Sequence, residues 1–303
     1  MNDAILFEGV ERSFGGAPVL RGLSLRVRPG EIYALLGRNG AGKTTALSIL
    51  LGFLTPNEGQ SSILGEPSAE LRPATRERIG LVLEGAPMYA WMRVDGVLAF
   101  EAGTRAGFDR AYAVDALARL GIARSKRVLQ LSRGQRAQLA LVLAMAGHPE
   151  VLVLDDPAMG LDVVMRREFL EAMIDLLGRE GRSVLFSSHV LPDVERVADR
   201  VGILHQGRLV LDAPVDELKR RFRKVLVRGA VAEDLRSGAL PSLVRARPVR
   251  EGVEATLCDL DERQQLALRE LGALSEPLVP TLEELFVDLT AERAPAVGTE
   301  GGR

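Results

Sequence analysis

Apolar residues at alternate positions mark the beginning of the chain as β-structure. Ile5 and Phe7 are two residues apart, as are Leu23, Leu25 and Val27, and this spacing predicts strands with one buried face. Short continuous apolar runs follow, which are typical of strands buried on both faces. They cover residues 32–36, 79–83, 151–154 and 183–188, and a hairpin is predicted from 201–204 and 208–211. Strands that alternate with helices predict an α/β fold with a mostly parallel sheet and helices on both faces.

Helical periodicity occupies segments between these strands. Apolar residues recur at helical spacing within 94–120, and another helix is predicted from Ser132 to Ala146. Ser132 is a suitable N-cap, and Gln135 three residues later completes a capping box, which by itself gives both residues a structural role. A basic helix with a solvated face is predicted at 218–224.

The composition changes near the C-terminus. Residues 225–303 carry 9 basic and 14 acidic side chains, a net charge of −5, against −2 for the whole chain. A small α+β accessory domain is predicted at 225–293. Its predicted strands and helix cover residues 225–227, 253–257 and 261–271. Thr281 and Glu284 form a capping box for a final amphipathic helix, and residues 294–303 are expected to be a flexible tail.

The composition narrows the class of protein. Of 303 residues, 47% are hydrophobic and 26% charged, which is ordinary for a soluble globular protein, and the net charge of −2 disfavours a nucleic-acid partner. Cys258 is the only cysteine, which excludes an internal disulfide and suits a reducing cytosol. The N-terminus lacks a signal-peptide pattern, and the longest apolar run, 139–147, is far shorter than the ~20 residues of a membrane span. We therefore expect a cytoplasmic protein that reaches a membrane only through a partner.

One glycine-rich segment carries a complete phosphate-binding pattern, the P-loop. It fits G-x-x-x-x-G-K-[ST] and comprises Gly37, Arg38, Asn39, Gly40, Ala41, Gly42, Lys43, Thr44 and Thr45. A predicted strand precedes it and a predicted helix follows it, which disfavours a turn with an incidental lysine. Glycines let backbone N–H groups curl toward phosphate oxygens at a helix N-terminus. Lys43 can reach the outer phosphates, and the Thr44 hydroxyl can bind Mg²⁺.

Charged or polar side chains follow three of the predicted core strands. Asp155 and Asp156 come directly after one strand, Glu84 after another and His189 after a third. Ligands bind at this edge of a parallel sheet, and two adjacent carboxylates suit Mg²⁺ ligation and water activation. The alternatives are a solvated turn for the carboxylates and a structural role for the histidine. Phe14 lies beside glycines in a turn, where it either packs or stacks on a purine, and by itself it favours packing.

Six motifs stand in one order along the chain: the P-loop, Glu84, residues 131–135, Asp155–Asp156, residues 160–162 and His189. This order resembles that of the ATP-binding subunits of ABC transporters, over roughly residues 4–222. The resemblance implies a P-loop NTPase core with a mostly parallel sheet, an N-terminal antiparallel β subdomain, a helical subdomain at about 85–147 and the small α+β C-terminal appendage. It also implies an ATP-binding domain at 1–224, with ATP and Mg²⁺ as cofactors.

The resemblance gives roles to the residues of one nucleotide site. Phe14 would stack on adenine, which reverses the preference for packing, and Asp155 would hold Mg²⁺ through water. Glu84 stands where most members have a glutamine that contacts Mg²⁺ and the attacking water. Asp156 stands where glutamate usually polarises that water, and its side chain is about 1 Å shorter, a misplacement that can cost ~100-fold in rate. His189 would contact the γ-phosphate.

Further residues would complete the nucleotide site of a second subunit. The signature segment supplies Ser132, Gly134 and Gln135, and the dimer-crossing loop supplies Asp162. Ser132 and Gly134 would bind the γ-phosphate of the ATP held by the other chain. Arg133 replaces the usual first glycine of the signature segment. The resemblance therefore implies two ATP molecules between two subunits, in a homodimer or a heterodimer that closes with ATP and opens on hydrolysis.

The short segment after Glu84 and the C-terminal appendage resemble the group of the family that serves exporters. We therefore expect a subunit that hydrolyses ATP to drive an integral membrane permease, bound peripherally at the inner face of the cell membrane. The aromatic loop at 85–93 is expected to meet the permease through Tyr89, Trp91 and Met92. The alternative is a soluble ABC-type regulatory switch with weak hydrolysis, which the unusual aspartate and arginine support.

Overall fold

Two units make up the chain, residues 1–215 and 216–303. The computed structural model describes residues 3–85, 87–177, 181–228, 240, 242–270 and 277–291. The division falls before the expected boundary at 224/225, because the strand that begins at Phe222 pairs within the second unit. The tail predicted at 294–303 lies outside the described residues.

The described part of the first unit contains an antiparallel sheet and a mostly parallel sheet. Its strands are β1 (Ile5–Phe14), β2 (Ala17–Val27), β3 (Ile32–Leu36), β4 (Glu58–Ile63), β5 (Glu66–Pro67), β6 (Ile79–Val82), β7 (Val151–Leu154), β8 (Ser183–Ser188), β9 (Arg200–His205) and β10 (Arg208–Pro214). The antiparallel sheet has the order β2-β1-β4-β5, and the other sheet has the order β10-β9-β3-β8-β7-β6. In the latter, β10 pairs with β9 in the predicted antiparallel hairpin, and the other pairs are parallel.

The parallel sheet is the centre of the first unit because its strands are apolar and buried on both faces. Every residue of β7 and β8 is buried, and so is all of β3 after its first residue. Strands of this kind need cover on both sides of the sheet, which helices provide. The predicted α/β fold is therefore confirmed. In β2 the residues facing the core alternate with exposed ones over most of the strand, as its sequence spacing predicted.

Helices connect the strands of the first unit. They are α1 (Lys43–Leu50), α2 (Pro73–Glu77), α3 (Val94–Thr104), α4 (Arg110–Arg119), α5 (Arg133–Met145), α6 (Val163–Leu177) and α7 (Leu191–Val197). The helical segment predicted at 94–120 is divided, because Asp109 caps a new helix by accepting from the Tyr112 N–H at 2.9 Å. The capping box of α5 is confirmed: Ser132 Oγ accepts from the Gln135 N–H at 3.1 Å, and Gln135 Oε1 accepts from the Ser132 N–H at 3.2 Å.

The second unit is a small α+β fold, as predicted for the C-terminal appendage. Its elements are α8 (Val215–Arg221), β11 (Phe222–Arg228), β12 (Leu243–Val249), β13 (Gly252–Cys258), α9 (Glu262–Glu270) and α10 (Leu282–Thr290). The three strands form an antiparallel sheet in the order β11-β13-β12, with a core that includes Val227, Ala255 and Leu257. The predicted capping box of α10 is confirmed, since Glu284 N–H donates to Thr281 Oγ1 at 3.2 Å.

Two features of the second unit differ from the sequence-based expectation. The basic helix predicted at 218–224 ends at Arg221, because Phe222 is buried and pairs with Cys258 as the first residue of β11. Strand β12 was not predicted, although its residues alternate between apolar and basic around Arg245 and Arg247. Its proline fits the edge position of β12 in the sheet, where one ladder donor is dispensable. Among the described helices, none combines the length and apolar composition that a membrane span requires.

Candidate nucleotide-binding site

Residues from four segments of the first unit line one open cavity of about 450 Å³. The lining residues are Phe14, Val19, Asn39, Gly40, Gly42, Lys43, Thr44, Thr45, Glu84, Asp155, Asp156 and Met159. The cavity therefore lies where β3, β6 and β7 end, at the edge of the sheet where the sequence predicted a ligand. The structure thus brings the P-loop together with Phe14, Glu84 and the two adjacent aspartates.

Close packing at two glycines shapes the P-loop. Gly42 is the N-cap of α1 with a φ of 108°, and a Cβ there would lie 2.7 Å from Leu20 Cδ2. At Gly37 a Cβ would lie 2.7 Å from the Leu204 carbonyl oxygen. Because α1 begins directly after Gly42, the positive end of its dipole lies at the cavity, where it favours an anion.

Lys43 is the buried cation of the cavity. The residue is only 7% exposed, and Nζ donates to the Gly37 carbonyl at 2.7 Å and to the Arg38 carbonyl at 3.4 Å. The Ala41 N–H also donates to the Arg38 carbonyl, at 3.1 Å, so the loop folds back over the ammonium group. A lysine has three N–H donors, and one of them remains for a phosphate oxygen.

Opposing electrostatic effects act on Lys43. Burial lowers the pKa of its ammonium group, while the carboxylates of Asp156, Asp155 and Glu84 raise it. Burial is the largest of these effects because the charged form loses its hydration. A bound polyphosphate carries the same sign of charge as the three carboxylates and would stabilise the ammonium group further. Because the same three carboxylates would repel that anion, the cavity suits a polyphosphate that binds together with a cation.

One hydroxyl joins the two adjacent aspartates. Ser187 is fully buried in β8; its Oγ donates to Asp155 Oδ1 at 2.7 Å and accepts from the Asp156 N–H at 2.8 Å. The backbone of Asp156 has a φ of 41°, in the left-handed region that costs a non-glycine residue about 1 kcal/mol or more. In this conformation Asp156 Oδ2 lies 2.6 Å from His189 Nδ1. Asp156 and His189 therefore form a hydrogen-bonded pair beside the P-loop lysine.

Phe14 lies at the edge of the cavity and is not a core residue. It is 46% exposed, and the Arg12 guanidinium carbon lies 4.7 Å from the centre of its ring. A guanidinium near the ring makes a cation–π contact, and an exposed aromatic ring can stack on another flat ring. This exposure disagrees with the packing role that the residue suggests by itself, and it leaves the stacking role a prediction.

Three oxygen donors of the cavity fit a magnesium ion. The Thr44 hydroxyl and the carboxylates of Glu84 and Asp155 all line the same space. Across the described residues, no three acidic, histidine or cysteine side chains gather closely enough to hold a metal by themselves. Magnesium is usually held by one or two carboxylates together with substrate phosphates, so this donor set fits an ion that binds with the nucleotide.

Ser132, Gly134, Gln135 and Asp162, all of them described, lie outside this cavity. Ser132 and Gln135 cap α5, and Asp162 caps α6 by accepting from two backbone N–H groups at 3.0 and 2.9 Å. Gly134 is buried, and a Cβ there would lie 3.1 Å from Met165 Cβ. These predicted nucleotide contacts are therefore gathered around the first turns of α5 and α6, separate from the P-loop.

Three residues that the structure places in or behind the cavity were not predicted. Val19 and Met159 line the cavity, and Ser187 joins the two aspartates. Val19 belongs to an ordinary strand pattern, and Met159 belongs to a connection without regular apolar spacing, so neither carries a sequence signal. Ser187 did carry one, because it is a polar residue near the end of a buried strand, two positions before His189.

A mostly apolar groove of about 460 Å³ lies beside the aromatic loop predicted to meet a permease. Tyr89 and Met92 line this groove, together with Leu81 from β6 and Leu143 from α5. Trp91 is not among the lining residues; it is 69% exposed, and its ring centre lies 6.0 Å from that of Tyr89. The loop thus presents an exposed aromatic pair next to an apolar depression.

Known proteins resemble this chain both in amino-acid sequence and in fold. Residues 20–159 match a family model described as ABC transporter, a range that holds the P-loop, the signature segment and both aspartates. The chain is 33% identical over 229 residues to the bacitracin transport ATP-binding protein BcrA of Bacillus licheniformis, covering 75% of this chain and 74% of that protein.

The likeness extends beyond the family model. The chain is 31% identical over 301 residues to the Nod factor export ATP-binding protein I of Rhizobium meliloti (strain 1021), covering 95% of this chain and 88% of that protein. A solved structure described as an ATP binding subunit of an ABC transporter shares 26% identity at a TM-score of 0.63, covering 72% of this chain and 92% of that one. Sequence and fold comparisons therefore lead to the same family of proteins.

Proposed function

The chain belongs to the ATP-binding subunits of ABC transporters, and we propose that two such subunits share two magnesium–ATP sites and drive an export permease. As a member of this family, it binds ATP and hydrolyses it to power transport. The observation that carries the proposal is the cavity in which Lys43 and Thr44 meet Asp155 and Asp156, while Ser132 lies outside it.

Inside the cavity, Asp156 would accept a proton from the attacking water. The hydrogen bond to His189 Nδ1 fixes one oxygen of its carboxylate, and the other oxygen can act as the base. Lys43 stabilises the negative charge that develops on the phosphate in the transition state. When both ring nitrogens carry protons, His189 can donate from Nδ1 to Asp156 and from Nε2 to a γ-phosphate oxygen.

Thr44, Glu84 and Asp155 would hold the magnesium ion at the phosphates. When bound, the ion neutralises charge on the β- and γ-phosphates and orients them for displacement. Asp155 is suited to this role because it follows β7 directly, at the edge of the parallel sheet where the cavity lies. Glu84, in place of the family's usual glutamine, keeps an oxygen donor and adds a negative charge to the donor set.

The second half of each nucleotide site would come from another subunit, with Asp162 in the loop that reaches across. Ser132 and Gly134 lie at the N-terminus of α5, whose dipole favours a phosphate. Ser132 Oγ accepts a hydrogen bond from the Gln135 N–H, and its O–H can still donate to a phosphate on another chain. The N-terminus of α5 could therefore contribute to a nucleotide site whose P-loop lies on another subunit.

Mixing two impaired variants tests the shared site. Lys43→Ala removes the phosphate-binding ammonium, and Ser132→Asp places a negative charge on the signature side. We expect Lys43→Ala alone to lack ATPase activity and Ser132→Asp alone to keep at most about a tenth of the wild-type rate. In an equimolar mixture, half of randomly paired dimers would hold one intact site, so about a quarter of the wild-type rate should return. No recovery by two variants that both melt like the wild type would contradict sharing between identical subunits.

The partner would be an integral membrane permease. This chain would be cytoplasmic and would bind peripherally to that permease at the inner face of the cell membrane. The apolar groove and its aromatic loop support a docking surface for that permease. The relative named for Nod factor export supports export as the direction. Trp91→Ala should reduce co-purification with the permease and coupled transport without lowering the melting temperature, since Trp91 is mostly exposed. Unchanged co-purification and transport would exclude Trp91 from the interface.

A further inference from the structure

We infer that Ser187 is a positioning residue for ATP hydrolysis, whose hydroxyl holds the magnesium-side and water-side carboxylates in one fixed arrangement. This inference rests on the proposed roles of Asp155 and Asp156 and adds a residue that those roles do not include. A hydroxyl that both donates and accepts can tie two groups together, and here it ties the side chain of one aspartate to the backbone of the next.

The end of β7 explains why such a tie is needed. The parallel pairing of β7 with β8 ends at Leu154 and Phe186, one residue before the two aspartates begin. The Asp155 N–H is held from the β6 side, where it donates to the Val82 carbonyl at 2.8 Å. On the β8 side, the Ser187 hydroxyl takes over from the backbone ladder, donating to Asp155 Oδ1 at 2.7 Å. The carboxylate is thus oriented by β8, next to the strand that carries it.

The same hydroxyl also stabilises the backbone conformation of Asp156 by accepting a hydrogen bond from its N–H. This residue has a φ of 41°, a conformation that persists only when its surroundings hold it. Its N–H donates to Ser187 Oγ at 2.8 Å, and its carboxylate reaches His189, which follows Ser187 by two positions. Asp156, which follows β7, is therefore hydrogen-bonded to two residues at the end of β8, through its N–H to Ser187 and through its carboxylate to His189.

Loss of the Ser187 hydroxyl should affect hydrolysis more than ATP capture. Asp155 and Asp156 would keep their side chains but lose the contact that sets their relative orientation. Removing the partner that orients a metal ligand typically costs about 10- to 100-fold in metal affinity or activity. Lys43 and the P-loop glycines make no hydrogen bond to Ser187 in the described structure, so their hold on the phosphates should remain.

The first experiment compares turnover in three variants. Ser187→Ala should lower kcat by about 10- to 100-fold with KM for ATP within about threefold of the wild type. Ser187→Thr retains the hydroxyl and should recover most of the loss. The matched control is Ser183→Ala at the other end of β8, where a buried hydroxyl accepts from the Gly30 N–H at 2.9 Å, away from the cavity. This control should change the melting temperature but leave kcat within about threefold.

A second readout does not depend on hydrolysis. Calorimetric titration with the non-hydrolysable analogue AMP-PNP gives the affinity in EDTA and in magnesium. Ser187→Ala should bind the analogue in EDTA like the wild type, while the gain in affinity from magnesium should fall by about tenfold. A buried serine with a structural role alone would change stability without changing this magnesium-dependent gain.

The outcomes separate this inference from the proposed function. If Asp156→Asn lowers kcat while Ser187→Ala behaves like Ser183→Ala, the inference fails and the proposed function stands. If Asp156→Asn and Ser187→Ala both match the wild type in kcat, the proposed role of Asp156 as the base fails and the inference fails with it. Lowered kcat, unchanged KM, recovery by Ser187→Thr and a reduced magnesium gain together support the positioning role.

Discussion

Two helix N-termini of the first unit are expected to bind phosphate, and they are built in opposite ways. Helix α1 follows Gly42, which has no side chain to cap it, and its first residue is the buried Lys43. Helix α5 follows Ser132, whose side chain caps it in a reciprocal box with Gln135. The start of α1 therefore has no side-chain cap from its own N-cap residue, whereas the start of α5 is capped by its own chain.

This difference assigns different tasks to the two ends. At α1, the lack of a side-chain cap and the burial of an ammonium group are tolerated where a polyphosphate can compensate for them. At α5, the capping box keeps the helix end ordered without a ligand, and the Ser132 hydroxyl still has a proton to donate. An end of the first kind can bind nucleotide alone, while an end of the second kind suits contact with a nucleotide already held elsewhere.

The largest expected effect lies on the α1 side, at the carboxylate beside it. Asp156→Asn removes the proposed base, and we expect kcat to fall by about 100-fold or more, because general-base catalysis contributes on that scale. ATP binding should persist, since the P-loop contacts remain. Steady-state ATPase assays and nucleotide titration would measure both quantities.

The control for this prediction is Asp115→Asn, which removes an exposed carboxylate paired with Arg119 at 3.3 Å and should leave turnover unchanged. If Asp156→Asn hydrolyses ATP at the wild-type rate while Lys43→Ala abolishes hydrolysis, Asp156 is not the base. A wild-type protein that binds ATP but barely hydrolyses it, alone or with its permease, would instead favour a regulatory switch.

A smaller effect is expected on the α5 side, where capping and phosphate binding can be separated. Ser132→Asp keeps a good N-cap, because aspartate and serine cap helices about equally well. Its charge would oppose a phosphate, since like charges about 4 Å apart near a surface repel by about 4 kcal/mol before screening. We expect an unchanged melting temperature and at least roughly a tenfold loss of ATPase activity.

Helix α10 supplies the matched control for that substitution. Thr281 and Glu284 form the same kind of capping box there, with no predicted nucleotide contact. Thr281→Asp loses the hydrogen bond from Thr281 Oγ1 to Glu284 Oε2 at 3.0 Å and should lower the melting temperature slightly, but it should leave the ATPase rate unchanged. Equal ATPase activity of the Ser132→Asp and Thr281→Asp proteins would show that Ser132 only caps α5. That result would contradict phosphate binding at the N-terminus of α5.

The two capping boxes also show how far sequence patterns reach. Both boxes were predicted correctly from residue spacing, because capping depends on contacts within a few residues. Spacing did not show that Ser132 lies outside the cavity of its own chain, since that depends on how helices pack on the sheet. The C-terminal end of the basic helix was predicted wrongly for a related reason. Phe222 belongs to strand β11 because it pairs with the distant Cys258.

Within the cavity, the division between local and long-range information is equally clear. The P-loop and the aspartate pair could be predicted because each consists of consecutive residues that directly follow a buried strand. Phe14 needed the fold to show that its ring is exposed at the cavity. Ser187 was missed because its importance comes from one hydroxyl that meets residues about thirty positions away.

The sequence by itself determined the α/β order of elements, the phosphate-binding P-loop and the carboxylates at the strand ends, since hydrophobic period and motif spacing are local properties. The tertiary structure decided which of these residues share a site. Parallel pairing of β7 with β8 brings Asp156 to His189 and Ser187, and the packing of α5 and α6 leaves Ser132 and Asp162 outside the cavity. These relations depend on contacts between distant segments, which no local pattern encodes.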